Sequence, residues 1–277
     1  MFDGVGSSTR PDIVSKALAR SFNYRTLSEP PVASSRENIS ESALLEVADS
    51  DRLRQESRAA LSWAVATELS NGHQRLRDKS KIAASTACVV RLFSFGPEGN
   101  RQHMIHTANA GDGFWILLRR QGGLWRAIAH SEPSFHNSHE GKTAPLQLAY
   151  DSHGTWITKD DMHRVHYARP HVLDGDIVLA MSDGVVDNLL IENNQGQAHH
   201  GSVAEWIVDR MNRDTGIKWT PARLKEYFRR RIGEAPLKLL RKPDDYTVVA
   251  ARVSIGLGVS APIQPGTWVF PALRLPR

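Results

Sequence analysis

The 277-residue chain carries 35 Lys and Arg against 30 Asp and Glu, a net charge of +5, with 40% hydrophobic and 23% charged residues. That balance belongs to a globular chain able to bury a core; it excludes a disordered or fibrous one. The basic residues are scattered, with Arg229-Arg230-Arg231 the one tight cluster, so a nucleic-acid surface is not indicated. The single cysteine, Cys88, excludes an internal disulfide framework and fits a reducing compartment. No apolar run reaches the length of a membrane span, and no secretion-signal pattern opens the chain.

In chain order, Met1-Phe2-Asp3-Gly4-Val5-Gly6 leads directly into a turn-like acid. Ile13, Val14, Ala17, Leu18 and Phe22 then recur at helical spacing. Asn38 and Glu41 read as a capping pair ahead of a long helical stripe that Asn71-Gly72 stops. From Ile82 the period shortens. Strands are predicted over 85–93, 102–109, 114–119 and 124–129, joined by short turns as an antiparallel meander. Residues 131–161 are polar and irregular and read as a long surface loop, with a further strand over 163–168. Residues 177–181 form an unbroken apolar run between Asp174-Gly175 and Asp183-Gly184, the pattern of a buried strand. Helices are predicted from about Val185 to Leu190, over 202–212 and over 221–232, and a last strand over 246–253. Strands and helices fall in separate blocks, so the class is α+β. No linker divides the chain, which reads as one domain over 1–254 followed by a Gly- and Pro-containing tail over 255–277, with Trp268, Val269 and Phe270 able to dock back.

Four stretches put an acid at a strand end or turn: Asp3-Gly4, Gly111-Asp112-Gly113, Ser182-Asp183-Gly184 and Pro243-Asp244-Asp245. Each alone reads as a cap or turn residue; Asp183 in particular suits the start of a helix. Four acids converging on one sheet edge would repel unless divalent cations lay between them, and hard oxygen ligands suit Mg²⁺ or Mn²⁺ better than zinc.

The ordered segments Asp3-Gly4-Val5-Gly6, Ala110-Gly111-Asp112, Ser182-Asp183-Gly184 and Lys242-Pro243-Asp244-Asp245-Tyr246-Thr247-Val248-Val249 resemble the signature segments of metal-dependent (PPM-type, type 2C) serine/threonine protein phosphatases. The likeness is greatest to the subgroup with a DGVG opening that includes a mitochondrial matrix phosphatase. Ser85-Thr86-Ala87-Cys88, His130-Ser131, Pro145-Leu146-Gln147-Leu148 and Asp187-Asn188 agree with that subgroup. The resemblance implies a four-layer α-β-β-α sandwich of two antiparallel sheets, with the first strands absent. It also implies hydrolysis of phosphoserine and phosphothreonine in proteins by a water bridging two metal ions, with no phosphoenzyme. By position, Asp3 would bridge both ions and the Gly4 carbonyl would hold the second. Asp183 and Asp244 would hold the first, Asp112 with Asp183 would form a weaker third site, and Asp245 would support the ligands or the fold. Further implied are a phosphoprotein substrate, a monomer, no nucleic-acid partner, no membrane span and an intracellular location, mitochondrial by subgroup or cytoplasmic.

Two departures bear on activity. Val5 stands where many relatives have a proton-donating histidine, a departure the subgroup shares. The family's strands before the DG motif carry a phosphate-gripping arginine and an acid for the second metal, and these are expected to be missing. Residues 1–277 alone are therefore expected to bind Mn²⁺ weakly and turn over little. The alternative function is a catalytically inactive relative that binds phosphoproteins or a partner; a metal-dependent nuclease ranks last. His136 with His139, and His163 with His166, match no zinc spacing and read as loop residues. No G-x-S-x-G elbow is present. The seven tryptophans are dispersed, as packing residues are.

Overall fold

The strands at 114–118 and 177–181 show no polar–apolar alternation, and the computed structural model gives the reason. It describes residues 2–4, 83–95, 102–135, 145–150, 164–189, 200–233 and 246–255. Nine strands are described: β1 (Phe2–Gly4), β2 (Ala83–Phe95), β3 (Gln102–Ala110), β4 (Phe114–Gln121), β5 (Leu124–His130), β6 (Leu148–Tyr150), β7 (His166–Ala168), β8 (Ile177–Met181) and β9 (Val248–Arg252). The described helices are α1 (Asp183–Leu189), α2 (His200–Arg213) and α3 (Pro221–Gly233). All strand pairings are antiparallel. One sheet has the order β1-β2-β3-β7, with β6 also paired to β2; the other has the order β5-β4-β8-β9.

Strands β4 and β8 lie inside the second sheet and are covered on both faces. Successive side chains point to opposite faces. Phe114, Ile116, Leu118, Ile177, Leu179 and Met181 pack toward the helices, with Val203, Ile207, Met211, Leu224 and Phe228 among their neighbours. Trp115, Leu117 and Ala180 face the other way, into an inter-sheet core with Cys88, Ile105, Val172 and Val253. Truncating one of these fully buried side chains to Ala would cost about 2–5 kcal/mol. Burial pushes the Cys88 thiol up to about 11, so it behaves as a small hydrophobe there.

The helices present the stripes their sequences encode. Val203, Ala204, Ile207 and Met211 on α2, and Leu224, Phe228 and Ile232 on α3, recur every three or four residues and are buried. Thr220 caps α3: its Oγ1 accepts the Arg223 N–H at 3.2 Å, and Pro221 occupies the first turn. Asn212 ties the end of α2 to β5, accepting the Trp125 N–H at 2.7 Å and donating to the Trp125 carbonyl at 3.0 Å.

The architecture is α+β with two antiparallel sheets and helices against the second. The helices anticipated before residue 72, the histidines at 136, 139 and 163, and the tail from 256 onward lie outside the described residues. Three expectations are corrected. Strands β2 to β5 are not one meander, because β2–β3 and β4–β5 belong to different sheets. The stretch from Ser131 is not wholly a surface loop: Ser131, Ser134 and Leu146 are buried, Phe135 bridges Pro145, and β6 pairs with β2. Residues 2–4 form a strand rather than a turn: three residues hold no periodicity, and pairing with β2 makes the strand.

Candidate metal centre at the junction of the two sheets

Register places the acids. In β1, Asp3 pairs with Thr86 and Gly4 with Ser85. One position along β2, Ala87 is flanked by Phe2 on one side and Ala110 on the other. Gly111 therefore leaves β3 beside Thr86, on the edge of β2 opposite Asp3. Ser85 pairs with both Gly4 and Leu148, so β6 takes over that edge where β3 departs. The chain then crosses through Asp112 and Gly113 into β4, whose first residue, Phe114, pairs with Met181. Met181 pairs in turn with Val248. Asp112 lies two residues before Phe114 and Asp183 two residues after Met181, so both flank the paired ends of β4 and β8. Ser182 donates its N–H to the Thr247 carbonyl and accepts the Thr247 N–H on its Oγ, both at 3.0 Å. Asp244 lies outside the described residues.

The turn bearing Asp112 is held by buried polar groups. The Gly111 N–H donates to Ser134 Oγ at 2.8 Å, and the Gly111 carbonyl accepts the Ser134 N–H at 2.9 Å. Ser134 Oγ donates to the Asn109 carbonyl at 3.0 Å. Asn109 Nδ2 reaches the Gly111 and Glu132 carbonyls at 3.3 and 3.2 Å. Asn109 is fully buried and Ser134 nearly so. Gly111 adopts φ +110°, and a Cβ there would lie 2.7 Å from Thr86 Cγ2, 2.9 Å from Thr86 Cβ and 3.0 Å from the Leu146 carbonyl oxygen. Only glycine fits this contact between the Asp112 turn and the strand that pairs with Asp3.

Asp183 is half-buried and is the first residue of α1. The Ser182 carbonyl accepts the N–H groups of Val185 and Val186 at 3.1 and 3.2 Å, and Asp183 Oδ1 accepts the Gly184 N–H at 2.8 Å. The helix-end role open to Asp183 is thus present in part, and a carboxylate has capacity for further partners. Among the described residues no group of three or more His, Cys, Asp or Glu stands close enough to hold a metal ion. Asp244 and the side chain of Asp3 are outside that set, so the described donors are Asp112 and Asp183. Sequence reading missed Asn109 and Ser134, which build the turn; the buried Ser134 carries no motif of its own. Nearby, His166 Nδ1 accepts the Glu132 N–H at 3.3 Å, and burial depresses the His166 pKa, Glu132 opposing and His130 reinforcing the shift.

No family model matches the chain. A protein phosphatase PTC7 homolog, fig, of Drosophila willistoni is 29% identical over 196 residues, covering 63% of this chain and 54% of that protein. The fig protein of Drosophila ananassae is 30% identical over 125 residues, covering 44% of this chain and 33% of that protein. The chain is similar to these protein phosphatases over those stretches. It spans about half or less of the length of each. Among solved structures, the serine/threonine phosphatase PstP/Ppp of Mycobacterium tuberculosis matches with a TM-score of 0.43 at 18% identity, over 92% of this chain and 87% of that one. The PstP catalytic domain in complex with two manganese ions matches with a TM-score of 0.44 at 17% identity, over 92% and 86%.

Proposed function

We propose that the chain is the core of a metal-dependent phosphatase hydrolysing phosphoserine and phosphothreonine in proteins. The observation that supports the reading is that Asp3 pairs with Thr86, against which Gly111 packs, while Asp112 and Asp183 flank the strand ends that pair as Phe114 and Met181. The donor set suits Mg²⁺ or Mn²⁺, being carboxylates plus the Gly4 carbonyl with no thiol. Asp3, Gly4, Asp183 and Asp244 would hold two ions, with Asp112 and Asp183 forming a third, weaker site. Bound there, the ions would lower the pKa of a water between them and neutralise charge building on the phosphoryl oxygens. The chain's own contribution would be placement: Asp183 follows the end of β8 that pairs with β9, and the Gly111–Ser134 bonds hold the turn before Asp112. The substrate would be a phosphoprotein, met in the mitochondrial matrix or the cytoplasm.

The test is hydrolysis of a phosphothreonine peptide by the full-length gene product. Turnover should require Mn²⁺ or Mg²⁺ and stop with EDTA. Metal-independent turnover would refute the reading. Peptide binding without turnover in saturating Mn²⁺ would instead support the inactive, phosphoprotein-binding alternative.

A further inference from the structure

At the other end of the second sheet lies a cavity of about 360 Å³. Strand β4 runs from Phe114 to Gln121 and β8 returns beside it, so Arg119, Arg120 and Asp176 share the end away from Asp112 and Asp183. The seven residues from Asp176 to Asp183 put it roughly 20 Å from the acids. Its inner wall is rigid and apolar. Trp125, Met211 and Trp219 are buried, the Trp219 Nε1–H donates to the Met211 carbonyl at 3.0 Å, and Asn212 clamps the Trp125 backbone on both sides. At its mouth stand two of the most exposed apolar side chains described, Leu124 at 50% and Leu173 at 54%.

The charge at this mouth is not balanced. Asp176 is saturated: Arg119 Nε and Nη2 donate to its two oxygens at 2.9 and 2.7 Å, and the Leu173 N–H adds 2.8 Å. Asp174 accepts the Ile255 N–H at 2.9 Å. Arg120, Lys218 and Arg252 line the same cavity, and among the described residues none of the three is in an ion pair. Arg120 Nε has only a neutral partner, the Gly123 carbonyl, at 3.3 Å. The lining carries Arg119, Arg120, Lys218 and Arg252 against Asp174 and Asp176, an excess of two positive charges that an anion would relieve. A volume in the range of about 300–1,000 Å³ is that of a small-molecule site.

We propose that this cavity binds a small organic anion: an apolar body against Leu124, Leu173 and Trp125, with its acidic head between Arg120, Lys218 and Arg252. The site is separate from the acid-bearing end and does not depend on the phosphatase reading. Benzenesulfonate is the probe, because it cannot be hydrolysed as a phosphate ester, and benzyl alcohol is its uncharged counterpart. Titration of the 277-residue chain in EDTA, followed by saturation-transfer NMR, should give one site for benzenesulfonate and no comparable binding of benzyl alcohol. Lys218→Glu and Arg252→Glu should each weaken benzenesulfonate by roughly tenfold, while Asp183→Asn leaves it unchanged. Lys218 is exposed and lies between α2 and α3, so its variant keeps the test readable if Arg252→Glu perturbs β9. No binding, equal binding of the alcohol, or indifference to Lys218→Glu would overturn the proposal.

Discussion

Replacing Gly111 by alanine tests whether the contact between the two acid-bearing segments is as tight as the structure shows. Two costs add. A non-glycine residue held at φ +110° carries about 1–3 kcal/mol of backbone strain. The new methyl would also sit 2.7 Å from Thr86 Cγ2, 2.9 Å from Thr86 Cβ and 3.0 Å from the Leu146 carbonyl oxygen. Rotating Thr86 moves only the first of these; the other two need β2 or the Leu146 backbone to shift, an overpacking cost of about 1–3 kcal/mol. The total, about 2–6 kcal/mol, is a large part of the roughly 5–15 kcal/mol that holds a domain together. Gly123→Ala supplies the control: Gly123 has φ +85° but nothing within 4 Å of its Cβ position, so that variant bears the strain without the overlap. Urea unfolding of the three proteins gives the comparison, with an unchanged slope confirming that stability alone moved. Gly111→Ala should be the less stable variant by at least about 1 kcal/mol. Equal stability of the two variants would mean that the turn relaxes freely and that Thr86 does not lock Asp112 to the strand beside Asp3.

Asp183→Asn keeps an oxygen for the Gly184 N–H and removes the charge, so metal-dependent turnover of the full-length product should fall by about a hundredfold or more with the melting temperature held or raised. Arg119→Met strands the Asp176 carboxylate, only 2% exposed, without its bidentate partner and should cost about 3–5 kcal/mol in urea unfolding; a loss near zero would show that the pair contributes nothing. For His166, burial lowers the pKa below the ordinary 6.5, so the folded state takes up a proton less readily than the unfolded chain. Its contribution is therefore intact above about pH 6.5 and is lost on acidification through the lowered folded value; His166→Gln should flatten the fall in urea midpoint over that window, and an unchanged profile would refute the assignment.

The second sheet was legible because its central strands are buried on both faces. Residues 114–118 and 177–181 had to be apolar throughout, and no helix of five residues competes with that pattern. Helices α2 and α3 were legible for the same reason in another period, their stripes being long enough to average out local noise. What escaped was partnership. Nothing local in residues 85–93 or 114–119 says which sheet receives each strand, so a run of short turns read as one meander. Strands β1 and β6 have three residues each and exist through pairing with opposite edges of β2. Ser131, Ser134 and Leu146 sit in a polar stretch that composition alone marks as exposed, yet Ser134 Oγ donates to the Asn109 carbonyl of β3 and Ser131 Oγ accepts the Trp115 N–H of β4.

The candidate site divides along the same line. Individual acids beside glycine carry almost no information, and their order along the chain was what made them legible. Register sets where the neighbouring strand ends lie: one residue of slip between β4 and β8 would part Phe114 from Met181 and turn the strand's side chains to the other face. Asp183 shows how the structural and functional readings separate. Were it kept only as a helix cap, its oxygen would be expected to serve N–H groups deeper in the first turn. Instead the Ser182 carbonyl receives Val185 and Val186, and the Asp183 oxygen accepts the N–H of the next residue, Gly184. Stability and Mn²⁺ affinity of Asp183→Asn therefore answer different questions. A purely structural Asp183 predicts that stability falls and affinity holds; a ligand predicts the reverse.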